Sequence, residues 1–200
     1  MYLPRIAILI SGTGSNMEII LKACLTGELP AKVSFVGSDN INAKGLATSA
    51  ALGAQTRLFF YKRYGRRAAE EAIAKSVEET ETDWIILAGF MKILSPEFVR
   101  KFPEKIINIH PSMLPLFPGA HGIRDAWEAK VDHTGVTVHI VDEEVDHGRI
   151  LAQERVDILP EDTLESLEER IHGVEHRIYK ETLKKHFLEN PISIENREEE

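Results

Sequence analysis

The sequence predicts a doubly wound α/β fold: a mostly parallel sheet with helices on both faces, turning mixed toward the C-terminal part. Three observations predict it. Short apolar runs without period alternate with amphipathic stretches through the first half, as expected of strands covered on both faces and the helices that cover them. A glycine-rich turn, Ser11-Gly12-Thr13-Gly14-Ser15-Asn16, follows the first apolar run directly. The second half then switches to period two, with Val136, Val138 and Ile140 on one side and Thr137 and His139 on the other. That pattern suits an antiparallel pair.

Taken in order, Arg5 to Ile10 reads as the first strand and Asn16 to Leu25 as a helix. Val33 to Ser38 is a second strand. Asn42 can cap a helix over Ala43 to Ala51, and Gly53 can end it. Gln55 to Tyr61 is a third strand, and Arg66 to Glu78 a helix with Ala69, Ile73 and Val77 on one face. Trp84 to Ala88 is a buried strand. Ser95 followed by Pro96 marks the start of a short helix to Phe102. Lys105 to Asn108, Gly135 to Val141 and Ile150 to Ile158 are further strands. Asp162 to Leu188 is a long amphipathic helix carrying Leu164, Leu167, Ile171, Ile178 and Leu183. With no repeat or low-complexity linker, residues 1–190 are expected to form a single domain. Residues 191–200 read as an acidic flexible tail, with Pro191 and few large apolar side chains.

Composition narrows the function classes. The net charge of -8, from 24 basic and 32 acidic side chains, argues against nucleic-acid binding, which wants a basic face. No apolar run reaches the roughly 20 residues of a membrane span. Ile6 to Ile10 is too short for the apolar part of a signal peptide. Cys24 is the only cysteine, so there is no intrachain disulfide, and a cytoplasmic location is expected. Among Ile19, Ile20, Leu21 and Leu25, its thiol reads as buried and inert.

Four stretches can carry chemistry. The Ser11–Asn16 turn opens a helix, so its backbone N–H groups and the helix dipole suit a phosphate. It lacks the Gly-Lys-Ser/Thr ending of a Walker A loop, and Met17 holds the third glycine position of a dinucleotide fingerprint. The alternative is a tight turn with nothing bound. Asn108 and His110 lie two apart at the end of an apolar strand, on one face. In an open α/β sheet, ligands bind at such strand ends. An amide beside an imidazole can donate to a developing oxyanion, and the imidazole can move a proton. Equally, His110 could be a histidine bonded at a strand end. The third stretch, Val141 to Gly148, is rich in acids, which usually means a solvated turn. Its Asp146, before Gly148, could pair with His110 and hold it protonated. Lastly, Lys62, Arg63, Arg66 and Arg67 oppose a helix dipole and could receive ligand carboxylates, although a solubilising surface turn explains most of them.

His172-Gly173-Val174-Glu175-His176 matches the H-x-x-E-H pattern of one zinc-protease class. In a chain with eight histidines a five-residue match is weak evidence, and a protease has no use for a phosphate loop. No metal is expected.

Ile10 to Asn16, Ala88-Gly89-Phe90-Met91-Lys92-Ile93-Leu94-Ser95, Asn108-Ile109-His110-Pro111-Ser112 and Asp142 to Gly148 together resemble the folate-dependent glycinamide ribonucleotide formyltransferases. Their order and spacing match over residues 5 to 188. The resemblance implies a Rossmann-like formyltransferase fold and a role in purine biosynthesis and one-carbon metabolism. It implies formyl transfer from 10-formyltetrahydrofolate, as co-substrate, to glycinamide ribonucleotide. It implies a catalytic trio of Asn108, His110 and Asp146, and a phosphate held by Gly14, Ser15 and Asn16. His172, Gly173, Val174 and Glu175 would lie against the ribosyl-glycinamide. Arg66, Met91, Lys92, Ile93, Leu94, Asn108, Asp142, Glu143, Glu144, Val145 and Asp146 would bind the folate. The expected partners are these small molecules, with no nucleic acid and no membrane, for a monomer or homodimer.

The chain departs from the pattern at Asp39, Leu116, His147 and Arg149. The family commonly has an Asn at the first of these positions and a Gly-Gly-Pro turn at the last two. The trio is left intact, but the shape of the folate loop is in question. Two relatives share parts of the motif. Methionyl-tRNA formyltransferases carry a further C-terminal domain, and an acidic chain suits tRNA badly. Formyltetrahydrofolate hydrolases carry a further N-terminal regulatory domain. A non-catalytic sugar-phosphate or folate binder would need the glycine-rich loop but has no use for the trio.

Overall fold

A computed structural model of the protein describes residues 2–192. Residues 193–200, most of the expected acidic tail, lie outside the described residues. Among the described residues two compact units appear, one of residues 2–90 with 183–192, the other Met91–Thr182.

The first unit carries β1 (Arg5–Ile10), α1 (Ser15–Thr26), β2 (Lys32–Ser38), α2 (Lys44–Ala51), β3 (Thr56–Leu58), α3 (Tyr61–Glu79) and β4 (Trp84–Leu87). Strands β3, β2, β1 and β4 lie in that order, each paired in parallel with its neighbour. Ile6, Ile8 and Ile10 have no exposed surface, and Trp84 to Leu87 is buried throughout. These aperiodic apolar runs are strands covered on both faces, as expected. Phe59 meets Phe35 edge-on at 6.1 Å and lies across Gly37. A Cβ on Gly37 would fall 2.5 Å from the Phe59 ring, so the glycine makes room for the aromatic pair.

Local signals set several boundaries, and three differ from expectation. Gly53, at φ +84, follows the end of α2 as its sequence predicts. Asn42 does not cap α2: Ala43 sits at that position without a side-chain bond. The Asn42 N–H instead donates to the Asn40 side-chain oxygen at 3.0 Å, a local turn that competes with capping. β3 stops at Leu58, and Tyr61 already begins α3, which breaks at Gly65 (φ 83, ψ 168). The expected helix from Arg66 is therefore its second segment. Cys24 is half-buried, and burial pushes its thiol pKa up to about 12. At neutral pH it is an inert thiol.

The second unit holds α4 (Pro96–Lys101), β5 (Ile106–His110), α5 (Gly122–Glu128), β6 (His133–Ile140), β7 (Ile150–Asp157) and α6 (Leu164–Glu189) up to Thr182. β5 pairs antiparallel with β6, and β6 with β7. The expected change from parallel to mixed pairing therefore falls in the second half. β5 runs two residues further than the sequence indicates and includes His110. α5 was not expected: its seven residues, Gly-Ile-Arg-Asp-Ala-Trp-Glu, are too short to show a period. In α6, Leu167 and Ile171 are fully buried. Tyr179 is 1% exposed, and its hydroxyl donates to the Ile107 carbonyl at 3.0 Å. That bond satisfies the one polar atom of a large buried ring.

Ser95 behaves as its position predicts: its hydroxyl accepts from the Phe98 N–H at 3.1 Å, with Pro96 at the first helical position. Ser95→Ala removes the cap. It is expected to lower stability by about 1 kcal/mol, measured as a shift of the urea midpoint. An unmoved midpoint would mean that the cap contributes nothing.

Candidate active site

The β5–β6 register brings four polar side chains onto one face. Asn108 stands opposite His139, and His110 opposite Thr137. Directly opposed residues share a face, and so do residues two apart. All of Thr134 to Ile140 is buried, so the polar side of this strand is not solvated. His139 is 1% exposed and Thr137 fully buried.

Asp146 joins this face from the turn after β6. One of its carboxylate oxygens lies 3.5 Å from His110 Nδ1, the other 3.7 Å from His139 Nε2. These are ion-pair distances, longer than good hydrogen bonds. The Gly119 N–H donates to the carboxylate at 2.7 Å. Asp146 itself has φ +53, an uncommon conformation for a residue with a side chain. The turn presses back onto the strand end: a Cβ on Gly148 would fall 1.9 Å from the Ile140 carbonyl oxygen. Gly148 is therefore needed for the turn that aims Asp146.

Bond partners identify the protons of His110. Its Nε2 lies 2.8 Å from the Phe117 carbonyl oxygen. A carbonyl only accepts, so Nε2 carries a hydrogen. Nδ1 is then the nitrogen that faces Asp146. Phe117 is a second non-glycine residue at positive φ, +52. Gly122 lies so near that a Cβ there would be 3.1 Å from Nε2.

Thr137 anchors the loop beyond His110. Its hydroxyl donates to the Ser112 carbonyl at 2.6 Å and accepts from the Leu114 N–H at 3.2 Å. It also accepts from the Gln153 amide at 2.8 Å. The Gln153 amide in turn donates to the Leu114 carbonyl at 2.9 Å. Such a network, buried and satisfied, holds one arrangement.

Asn108, His110 and Asp146, which the sequence singles out separately, are thus brought together. His139 was missed as a site residue. Period two places it with Thr137, but nothing local shows which strand it would face. Its Nδ1 donates to the Ile140 carbonyl at 2.9 Å, and its Nε2 lies 3.2 Å from the Asn108 amide nitrogen. Burial holds its pKa below the ordinary histidine value, against the opposing pull of the Ile140 carbonyl and Asp146.

The other expected site residues of this unit are more scattered. Met91 and Ile93 are 65% and 59% exposed, whereas Leu94 is buried. Lys92 is half-buried. Asp142 accepts from the Glu144 N–H and from His147 Nδ1, both at 3.0 Å. The bond to Asp142 raises the His147 pKa. Glu143 pairs with Arg100, and Val145 is exposed. On α6, His172 Nδ1 donates to the buried Glu175 at 2.7 Å, which raises the His172 pKa. Gly173 and His172 are exposed and Val174 is half-buried. Among the described residues, no group of three or more His, Cys, Asp or Glu could hold a metal ion.

In the first unit, Gly14 precedes α1 in the left-handed region (φ 75), and no side chain caps the helix. The first-turn N–H groups, starting at the exposed Ser15, suit an anion. A Cβ on Gly14 would fall 3.0 Å from both Gly45 Cα and Met17 Cε, so the entry to α1 itself requires this glycine. Asn16 is 8% exposed, and its amide oxygen has no hydrogen-bond partner. A buried unpaired acceptor beside a helix start awaits a donor. Ser11 donates to Asp39 at 2.5 Å. Arg66 is exposed after the Gly65 break, and Arg67 pairs with Glu71 at 3.0 Å.

Comparison with known proteins gives one family. Residues 4–183 match the Formyl transferase family. The phosphoribosylglycinamide formyltransferase of Haemophilus influenzae is 40% identical over 178 residues, 88% of this chain and 84% of that protein. That of Bacillus subtilis is 37% identical over 183 residues, covering 91% and 94%. The crystal structure of the Bacillus halodurans phosphoribosylglycinamide formyltransferase superposes with a TM-score of 0.89 at 40% identity, covering 92% of this chain and 95% of that one. Sequence and fold agree over almost the whole of the described chain, and the chain belongs to the formyl transferase family.

Proposed function

We propose that this enzyme transfers the formyl group of 10-formyltetrahydrofolate to the primary amine of glycinamide ribonucleotide, yielding formylglycinamide ribonucleotide and tetrahydrofolate in cytoplasmic purine synthesis. The observation that carries this reading is the buried face of β5 and β6, where an amide, an imidazole and a carboxylate converge. Acyl transfer needs those three groups and no protein nucleophile.

In the reading, the substrate amine attacks the formyl carbon. The carbon–oxygen double bond opens to an oxyanion, and the attacking nitrogen gains a positive charge. The Asn108 amide donates to the oxyanion. His110 donates from Nδ1 as an imidazolium, with Nε2–H anchored on Phe117 and Asp146 stabilising the positive ring. The proton lost by the attacking nitrogen is passed, through His110, Asp146 or water, to the folate nitrogen that leaves as the carbon–nitrogen bond breaks. Positioning of both substrates supplies much of the remaining acceleration. No metal is assigned, because the oxyanion has protein donors.

The first unit contributes phosphate binding at Gly14, Ser15 and Asn16. The buried Asn16 acceptor would meet a hydroxyl or amide N–H of the ribonucleotide. Glu175, buried and paired with His172, is assigned to the glycinamide end. Arg66, Met91 to Leu94 and Asp142 to Asp146 are assigned to the folate. Residues 1–190 would act as one functional domain.

Formyl transfer measured with these two substrates tests the reading directly, and no transfer would end it. Asn108→Ala is expected to lower kcat on the order of 100- to 1,000-fold with modest KM changes, as for loss of one oxyanion donor. A wild-type rate in His110→Ala would remove His110 from the catalytic machinery. Asn16→Ala should raise KM for the ribonucleotide and spare that for the folate, in steady-state assays with each substrate varied; an unchanged KM would remove Asn16 from the site. Arg66→Ala should do the reverse, raising KM for the folate donor and weakening its salt dependence.

A further inference from the structure

We infer that His139 is a positioning residue: as a neutral imidazole it accepts a hydrogen bond from the Asn108 amide and so turns the N–H of that amide, not its oxygen, toward the reacting centre. The inference rests on the proposed role of Asn108. It starts from the Ile140 carbonyl, which lies 2.9 Å from His139 Nδ1. A carbonyl only accepts, so Nδ1 is protonated. In the neutral ring Nε2 is then a lone pair, and the Asn108 group 3.2 Å away must be a donor. Only the NH2 end of an amide donates. The orientation of Asn108 therefore follows from bonding logic, independent of how its oxygen and nitrogen were assigned. One N–H is used on His139, and the other remains for a ligand oxygen.

A charged His139 would undo this. Nε2 would become a donor, facing the Asp146 carboxylate at 3.7 Å, and could no longer accept from the Asn108 N–H. The amide would lose the acceptor that fixes its orientation and be free to turn its oxygen toward the reacting centre. Four surrounding groups bear on the charge, and the Ile140 carbonyl is the strongest of those that favour it. Asp146 and Asp142 also favour it and His110 disfavours it, while burial opposes it most strongly. Every polar atom of His139 thus has an assigned partner, on a ring 1% exposed. A histidine that merely filled the core would not need this tautomer.

Two measurements test the proposal. Long-range nitrogen–proton NMR on the intact protein should show the His139 ring neutral at neutral pH, with the hydrogen on Nδ1. A hydrogen on Nε2 or a charged ring overturns the proposal whatever the enzyme catalyses. Kinetically, His139→Leu removes the acceptor and should lower kcat by about 100-fold, as for a misplaced catalytic group, with KM nearly unchanged. His139→Gln can offer an oxygen near the Nε2 position and should recover most of that loss; this variant also serves if the leucine protein fails to fold. In an Asn108→Ala background, His139→Leu should cost less than about 3-fold, since its target is gone. A wild-type kcat in His139→Leu, or the same loss with and without Asn108, would refute the positioning role. An unimpaired Asn108→Ala would instead refute the function proposed for the trio and leave the tautomer result standing.

Discussion

The antiparallel register of β5 on β6 is the constraint from which the candidate site follows. With Asn108 opposite His139 and His110 opposite Thr137, both strands turn their polar residues to the same side. A slip of one residue would send one set to the other face of the sheet and bring apolar Ile107 and Ile109 in its place. The β6–β7 pairing extends the same logic, since it sets Gln153 opposite Thr137. The Gln153 amide can then reach both the Thr137 hydroxyl and the Leu114 carbonyl. The loop beyond His110 is therefore tied to two successive strands, and Phe117, on that loop, supplies the carbonyl that anchors the histidine ring.

A face this polar and this buried is costly unless its groups are satisfied. The bonds answer that requirement almost residue by residue. Thr137 uses its donor and accepts twice, and His139 has a partner on each nitrogen. Asp146 takes a backbone N–H from Gly119 and faces two imidazoles. Two of the non-glycine residues at positive φ, Phe117 and Asp146, lie in the same place. Both residues touch His110, one on each side of its ring. A conformation that costs free energy persists where the surroundings impose it, and here it aims the two groups that control the histidine protons. At the start of α1 in the first unit the balance differs: Gly14 supplies a left-handed turn, and Asn16 is left with a buried acceptor.

Departures from the expected pattern have local explanations in part. His147 bonds Asp142 within the loop that carries Asp146, and Arg149 pairs with Glu104 at 2.7 Å. These side chains replace a turn of small residues by ion pairs at the surface, which are worth little in stability but add charge beside Asp146. Asp39 accepts from Ser11 at the end of β1. Nothing in the structure explains Leu116, which is 55% exposed.

The sequence by itself determined the order of the strands and helices, because burial on both faces writes aperiodic apolar runs such as Ile6 to Ile10 and Trp84 to Leu87. It determined the Ser95 and Gly53 boundaries, since capping and left-handed turns depend on single residue types. It also singled out Asn108, His110 and Asp146, through motif spacing and resemblance. It did not show α5, which is too short to carry a period, the break at Gly65, or the loss of the Asn42 cap to a competing turn bond. Above all it could not show His139 as a partner of Asn108. Those residues are 31 apart in the chain, and only strand register brings them face to face. A side chain's type is written in the sequence. Which nitrogen carries its proton depends on the groups opposite, the Ile140 and Phe117 carbonyls among them, and the tertiary structure alone decides those.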